Sequence, residues 1–232
     1  MKSDHANVRL VVEEDRISRL PNELIHKILS CFDIKVAVQT CVLSSRWKLL
    51  WTSMPFLNFS NVKIPDLCSF AKFMTHVLCG LNHQIHVSSV KLDFKGAANE
   101  DFVRNITSYA FSHNVQELAV NNWTIGLHVY PPCLFSSQSL KYFNLSFYGK
   151  RACVTLKTPW DFPALTTLHL SGVALCGDLF SKCVNLKNLT LKRFRIKGVD
   201  VFDINAPRLS NLRLINNSCS KILKHHNLRI LQ

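Results

Sequence analysis

The residues of this sequence that are best suited to hold a ligand are basic. Four cations within six positions form the densest positive cluster: Lys192, Arg193, Arg195 and Lys197. Lys192 and Arg213 fall on neighbouring predicted strands, which would let them clamp one carboxylate or phosphate group. Phe194 lies inside the cluster, and basic residues interleaved with aromatic ones also occur in nucleic-acid-binding proteins. No DNA- or RNA-binding motif accompanies the cluster, and Phe194 fits a core position equally well, so nucleic acid is the less favoured ligand.

Residue patterns typical of catalysis are absent from the sequence. It contains no glycine-rich phosphate loop, no G-x-S-x-G elbow and no His-Glu-x-x-His stretch, and only seven glycines are available to build such loops. Its nine cysteines include no Cys-x-x-Cys pair, the spacing that zinc sites commonly use. We therefore predict a protein that is not an enzyme, with no catalytic residue, no cofactor and no metal site.

Charge is distributed unevenly along the chain. Residues 1–140 hold 13 Lys and Arg against 11 Asp and Glu, whereas residues 141–232 hold 15 against 4. This surplus favours an acidic or phosphorylated protein partner, although a basic surface that only aids solubility gives the same composition. No apolar run reaches the roughly 18 residues of a membrane span, and no signal-peptide core is present near the N-terminus. We expect no membrane contact and a location in the cytoplasm or nucleus.

The elements that must position these groups are of two kinds, and the first is helical. Pro21 suits the first turn of a helix. The apolar face of that helix would consist of Leu24, Ile25, Ile28, Leu29 and Phe32. Ser44 could cap a second helix, which Pro55 would end, and residues 34–42 would form a third helix between them. Together these helices carry more apolar surface than they can bury alone, which indicates a partner protein.

This helical segment resembles a plant-type F-box. The motif reads Leu20-Pro21-x-Glu23-Leu24, then Val42-Leu43-Ser44-x-Arg46-Trp47, then Pro55-x-Leu57-x-Phe59. In that family a three-helix module binds a Skp-type adaptor and, through the adaptor, a cullin of the ubiquitin machinery. The resemblance implies that the adaptor-binding residues are Leu20, Pro21, Leu24, Ile28, Leu29, Val42, Leu43 and Trp47. Spacing alone fits equally well a module in which the same residues only form a helical core.

The second kind of element is a repeat. Copies of an apolar-x-x-apolar-x-apolar pattern begin at Val87, Val115, Leu140, Leu165, Leu186 and Leu209, and a further copy opens at Leu228. Their intervals of 28, 25, 25, 21, 23 and 19 residues are close to the roughly 20–29 residues of leucine-rich repeats. The alternation predicts one strand in each copy, with its second and third apolar residues facing inward. One such unit cannot bury its own apolar face, so the units should stack.

The predicted fold class is therefore α/β. A three-helix F-box would precede a leucine-rich-repeat solenoid, with a parallel sheet on the concave face and helices and irregular segments on the convex face. Helical spacing is clear within residues 100–113 and 70–78. We expect a flexible segment at 1–15, the F-box at 16–60, a linker helix that caps the solenoid at 61–86, and about seven repeats at 87–232.

The whole arrangement resembles plant F-box proteins with leucine-rich repeats. Relatives of this kind often carry further repeats and a C-terminal FBD-type domain, which this sequence lacks. Its last repeat is incomplete at Gln232. We therefore expect a truncated product or a gene fragment.

Target binding should use the side chains that lie between the inward ones on each strand. The predicted target-binding residues are Tyr142, Asn144, His169, Asn188, Lys192 and Arg213. The resemblance implies the substrate-recognition subunit of a Skp-cullin-F-box ubiquitin-protein ligase, with the adaptor on the F-box and a target protein on the repeats. The alternative is a non-catalytic repeat scaffold or a basic nucleic-acid-binding protein.

Overall fold

The computed structural model describes residues 19–64, 66–96, 100–123, 130–149, 154–156, 160–198, 201–215, 222–224 and 229–231. Its N-terminal module contains two short helices, α1 (Asn22–Leu29) and α2 (Ile34–Gln39). Asp33 caps α2, because its carboxylate accepts a hydrogen bond from the Val36 N–H at 3.0 Å. A 3₁₀ turn at Thr40–Val42 continues α2. The predicted flexible segment at 1–15 lies outside the described residues.

The helix predicted to begin at Ser44 forms differently. The Ser44 hydroxyl does accept a hydrogen bond from the Trp47 N–H at 3.4 Å, but turns follow it, and only Leu50–Ser53 is helical, as a 3₁₀ helix. Trp47, in the turns, and Leu50, in the 3₁₀ helix, are both buried all the same. A regular α-helix is therefore not required to bury this pair.

Thirteen strands and two longer helices follow within the described residues. They are β1 (Phe56–Ser60), α3 (Leu67–Gly80), β2 (Ser89–Phe94), α4 (Glu100–Ser112), β3 (Glu117–Asn122), β4 (Tyr142–Phe147), β5 (Val154–Leu156), β6 (Thr167–Ser171), β7 (Val173–Leu175), β8 (Asn188–Lys192), β9 (Arg195–Ile196), β10 (Val201–Asp203), β11 (Asn211–Ile215), β12 (Ile222–Lys224) and β13 (Arg229–Leu231). Helices α3 and α4 confirm the helical spacing found in the sequence.

Eight of the strands form one parallel sheet. Their order is β1-β2-β3-β4-β6-β8-β11-β13, so each strand pairs with the sheet strand that precedes it in the chain. A three-stranded sheet of β5, β7 and β9 and the pair β10–β12 complete the described strands. The register aligns equivalent apolar residues across the main sheet: Leu118, Phe143, Leu168, Leu189 and Leu212. These five side chains are buried, which confirms the inward positions predicted from the repeat. The α/β class with a parallel sheet is likewise confirmed.

The main sheet begins inside the predicted F-box segment. Strand β1 ends at Ser60 and pairs with β2 in parallel, and α3 is the crossover helix between them. The ring centroids of Phe70 in α3 and Phe102 in α4 are 5.9 Å apart, so the two crossover helices contact each other. One apolar cluster runs from Ile25 in α1 to Leu212 in β11. The helical module and the sheet therefore share a core, while the predicted domain boundaries stay a prediction.

No helix in the described part of the chain is both long enough and apolar enough to cross a membrane.

Candidate partner-binding surfaces

Six large apolar side chains of the N-terminal module face solvent. They are Leu24, Ile28, Phe32, Val42, Leu43 and Leu49, with exposed fractions of 42–83%. We call this set the F-box apolar surface. Helix α1 contributes to it because Leu24 and Ile28 lie on its outer face, while Ile25 and Leu29, one residue further on, point into the core.

The structure separates the eight predicted adaptor-binding residues into three groups. Five are exposed: Pro21, Leu24, Ile28, Val42 and Leu43. Leu20 is partly buried against the core. Leu29 and Trp47 are 1% and 4% exposed, so in this chain they support the F-box apolar surface from beneath. Phe32 and Leu49 belong to that surface but were missing from the prediction. Phe32 could have been found, because it continues the four-residue spacing of Leu24 and Ile28.

Two polar side chains hold the module together beside this surface. The Arg46 guanidinium donates hydrogen bonds to the Leu20 carbonyl and, at 2.7 Å, to Asn22 Oδ1 at the start of α1. His26 Nε2 lies 3.1 Å from both the Leu50 carbonyl oxygen and Ser53 Oγ. The segment that follows the exposed Val42 and Leu43 is thus tied to α1, which preorganises the apolar surface.

The outward side chains of the main sheet form three rows, because the strands are in register. The first row contains Ser89, Glu117, Tyr142, Thr167, Asn188 and Asn211. The second contains Lys91, Ala119, Asn144, His169, Thr190 and Arg213. The third contains Asp93, Asn121, Ser146, Ser171, Lys192 and Ile215. We call this the polar sheet face. It contains all six predicted target-binding residues, although their role in binding stays a prediction.

Hydrogen bonds between neighbouring strands order this face. Asn144 Nδ2 donates to Asn121 Oδ1 at 3.4 Å, and Asn211 Nδ2 donates to Asn188 Oδ1 at 2.7 Å. Several polar groups are therefore fixed before any partner arrives. Lys192 and Arg213 are exposed on the adjacent strands β8 and β11, in neighbouring rows of the polar sheet face.

Two aromatic side chains lie near the middle of the polar sheet face. The ring centroids of Tyr142 and His169 are 5.4 Å apart. Burial lowers the pKa of His169, and the positive charge of Arg213 lowers it further. Burial also raises the pKa of Tyr142, with a smaller contribution from the negative charge of Glu117. Both groups are consequently neutral at neutral pH and suited to hydrogen bonding rather than to charge pairing.

The basic cluster of residues 192–197 does not form one surface. Arg193 turns inward, where its Nη2 donates to the Phe147 carbonyl at 2.6 Å and to Ser171 Oγ at 3.2 Å. Its guanidinium carbon lies 5.3 Å from the centre of the Tyr148 ring, a cation–π contact. Phe194 is 1% exposed and belongs to the core, so it offers no stacking platform for a nucleic-acid base.

Within the described residues, no three His, Cys, Asp or Glu side chains are grouped closely enough to hold a metal ion.

Comparison with known proteins adds the family. The F-box domain model matches residues 17–59. An F-box/FBD/LRR-repeat protein of Arabidopsis thaliana is 32% identical over 88% of this chain and 45% of its own length. An F-box/LRR-repeat protein of the same plant is 29% identical over 89% of this chain and 69% of its own length. A second F-box/FBD/LRR-repeat protein is 29% identical over 87% of this chain and 47% of its own length.

The chain thus spans about half the length of most of these relatives, and no solved structure matches it. The family model covers the helical module, whereas the relatives also cover the repeated strands. The chain therefore contains an F-box domain and is similar over most of its length to F-box/LRR-repeat proteins of Arabidopsis thaliana.

Proposed function

We propose that this chain is the substrate-recognition subunit of a Skp-cullin-F-box ubiquitin-protein ligase. The F-box apolar surface carries the proposal, because six large apolar side chains are grouped within one small module and left in water. F-box domains generally bind Skp-type adaptors. Such a surface would be removed from water if its apolar side chains were to fit into pockets of a partner protein.

The ligase subunit would act by proximity and would not itself be an enzyme. The adaptor would link the F-box to a cullin, and the polar sheet face would hold a target protein of acidic or phosphorylated character. Because the helical module and the sheet share one core, the two binding surfaces are held at a fixed separation. Joining two partners in this way raises the local concentration of the target near the ubiquitin-loaded enzyme. The cytoplasm and the nucleus are the compartments we propose for this work.

The adaptor surface can be tested with a charge at its most exposed positions. Val42 and Leu43 are 83% and 63% exposed, so Asp at both should leave the fold intact while burying two charges against any docked adaptor. We expect the Val42→Asp, Leu43→Asp variant to lose recovery of a co-expressed Skp-type adaptor in a pull-down assay. A Leu20→Ala, Pro21→Ala variant should weaken recovery in the same assay.

Val184→Asp is the matched control, since Val184 is also an exposed apolar residue but lies among the repeats. It should recover as much adaptor as the unaltered chain. Undiminished recovery by the Val42→Asp, Leu43→Asp variant, with an unchanged thermal unfolding midpoint, would contradict the proposed adaptor surface.

A further inference from the structure

A cavity of about 290 Å³ opens beyond the C-terminal ends of β1, β2 and β3. Its lining residues are Asn61, Val62, Asp93, Phe94, Lys95 and Trp123. The volume lies just below the range of about 300–1,000 Å³ that is typical of pockets for drug-sized ligands. It therefore suits a single large side chain better than a cofactor.

The wall of this cavity is rigid on the side of Asn61. Asn61 is 4% exposed, and its side chain makes two hydrogen bonds to the backbone of Lys95, with Nδ2 donating to the carbonyl at 2.8 Å and Oδ1 accepting from the N–H at 2.9 Å. Its own backbone N–H donates to the Asp93 carbonyl at 3.2 Å. The segments after β1 and β2 are thus locked together, so the cavity exists before any ligand enters.

Trp123 supplies the apolar surface of the opposite wall. Its side chain is 52% exposed, although an indole ring gains more than most groups from burial. The ring stacks on Tyr148 with centroids 4.0 Å apart and planes inclined by 11°, which fixes its orientation. A preoriented, exposed Trp loses little entropy when a ligand covers it, and this is the usual character of an interface anchor.

The charges at the cavity favour an acidic ligand. Asp93 is neutralised within the protein, because its carboxylate pairs with Lys91 at 2.7 Å and accepts a hydrogen bond from Asn121 Nδ2. In the described part of the chain no carboxylate pairs with the Lys95 ammonium group. The net charge that a ligand meets at the cavity is therefore positive.

The same charges argue against a nucleic acid. A bound strand needs a continuous track of cations for its phosphates. Lys95 is the one cation among the residues that line the cavity, so the cavity offers no such track. An isolated apolar cavity beside one cation instead matches an apolar side chain followed or preceded by an acidic residue.

We propose that this cavity binds one aromatic or large aliphatic side chain of an acidic segment in the target protein. The proposal rests on the proposed function and names the part of the target that the repeats would recognise. Trp123 and Val62 would contact the apolar side chain, and Lys95 would pair with an adjacent carboxylate or phosphate.

The test uses the full chain and three short fluorescein-labelled peptides. The first is rich in Asp and Glu and has one central Phe, the second has Ala in place of Phe, and the third has Lys in place of every acid. Fluorescence anisotropy measures binding. We expect the first peptide to bind at least about tenfold more tightly than either of the others, since one buried aromatic anchor or one charge pair is worth that much.

Trp123→Ala and Lys95→Glu should each weaken binding of the first peptide about tenfold. Val184→Ala is the matched control, since it truncates an exposed apolar residue elsewhere, and it should change nothing. The proposal fails if the first peptide does not bind, if Trp123→Ala binds it as tightly as the unaltered chain does, or if a single-stranded oligonucleotide displaces it.

The adaptor pull-down tests the F-box apolar surface, and the peptide-binding assay tests the cavity. The Val42→Asp, Leu43→Asp variant should lose the adaptor yet bind the peptide normally, and Trp123→Ala should do the reverse. Loss of peptide binding in Trp123→Ala together with a Val42→Asp, Leu43→Asp variant that still binds adaptor would support the cavity and overturn the adaptor surface.

Discussion

At the scale of single residues, Gly172 explains how Arg193 reaches across the sheet. Gly172 has φ of +70°, and a Cβ atom there would lie 2.3 Å from the Phe147 carbonyl oxygen. That oxygen accepts a hydrogen bond from the Arg193 guanidinium. Arg193 follows β8 and Phe147 ends β4, so the side chain spans the intervening strand β6. A side chain at position 172 would therefore collide with the atom that Arg193 needs.

Gly172→Ala should lower the free energy of unfolding by about 2–5 kcal/mol, because it combines a left-handed backbone with a steric clash. Gly177→Ala is the control: φ there is +72°, but no atom lies within 4 Å of the added Cβ, so only the backbone strain of about 1–2 kcal/mol applies. Urea unfolding measures both values. Equal losses in the two variants would show that the Phe147 contact contributes nothing.

Residue patterns could not decide which face of α1 is buried. Leu24 and Ile28 form one stripe, and Ile25 and Leu29 form another, and both stripes have the same spacing and the same apolar character. Only the packing of α1 against the rest of the chain places the second stripe inside. The prediction therefore mixed exposed and buried residues in one adaptor-binding set.

At the scale of elements, the strands and the first two short helices were predictable, whereas the form of the segment after Ser44 was not. A strand of the repeat shows its inward residues directly, because its alternation has a period of two and its neighbours repeat it. The segment after Ser44 has apolar residues three apart as well as four apart, so its sequence is compatible with either an α-helix or a 3₁₀ helix.

Strand register also places Arg213 two strands away from His169, with Thr190 between them. Both the partial burial of His169 and this positive charge disfavour protonation, so its pKa in the folded chain lies below that in the unfolded chain. As the pH falls through the unfolded value of about 6.5, the unfolded chain binds the proton first, and the folded state loses stability. Above that pH the residue contributes no pH dependence.

An NMR titration should accordingly give His169 a pKa below 6.5, and Arg213→Gln should raise it toward that value. In His169→Asn the stability should fall less between pH 7 and pH 5 than in the unaltered chain. A pKa that does not respond to Arg213→Gln would mean that the charge of Arg213 does not reach His169 along the row.

At the scale of the whole molecule, the parallel sheet could be predicted, but the attachment of the F-box could not. The repeats can be recognised because their sequences resemble one another. No copy of the repeat pattern precedes β1, and β1 joins the sheet through its pairing with β2. The Trp123 cavity was missed for a related reason. Its residues come from separate turns, and only the strand register brings them together.

The shared core predicts that the F-box and the sheet unfold together. Ile25→Ala, at a fully buried position of α1, should cost about 2–5 kcal/mol, whereas Leu24→Ala next to it should cost little. Hydrogen exchange followed by mass spectrometry should show faster exchange in β2 and β3 as well as in α1 of the Ile25→Ala variant. Faster exchange in α1 alone would mean that the module unfolds independently.

The strand order of the main sheet also has a consequence for synthesis on the ribosome. Since every strand pairs with the sheet strand made just before it, each new repeat finds its template already outside the exit tunnel. In the described main sheet, each strand after β1 therefore has a partner that is already made. The F-box is made first and supplies β1, so the helical module that we propose as the adaptor site is also the surface from which the nascent sheet grows.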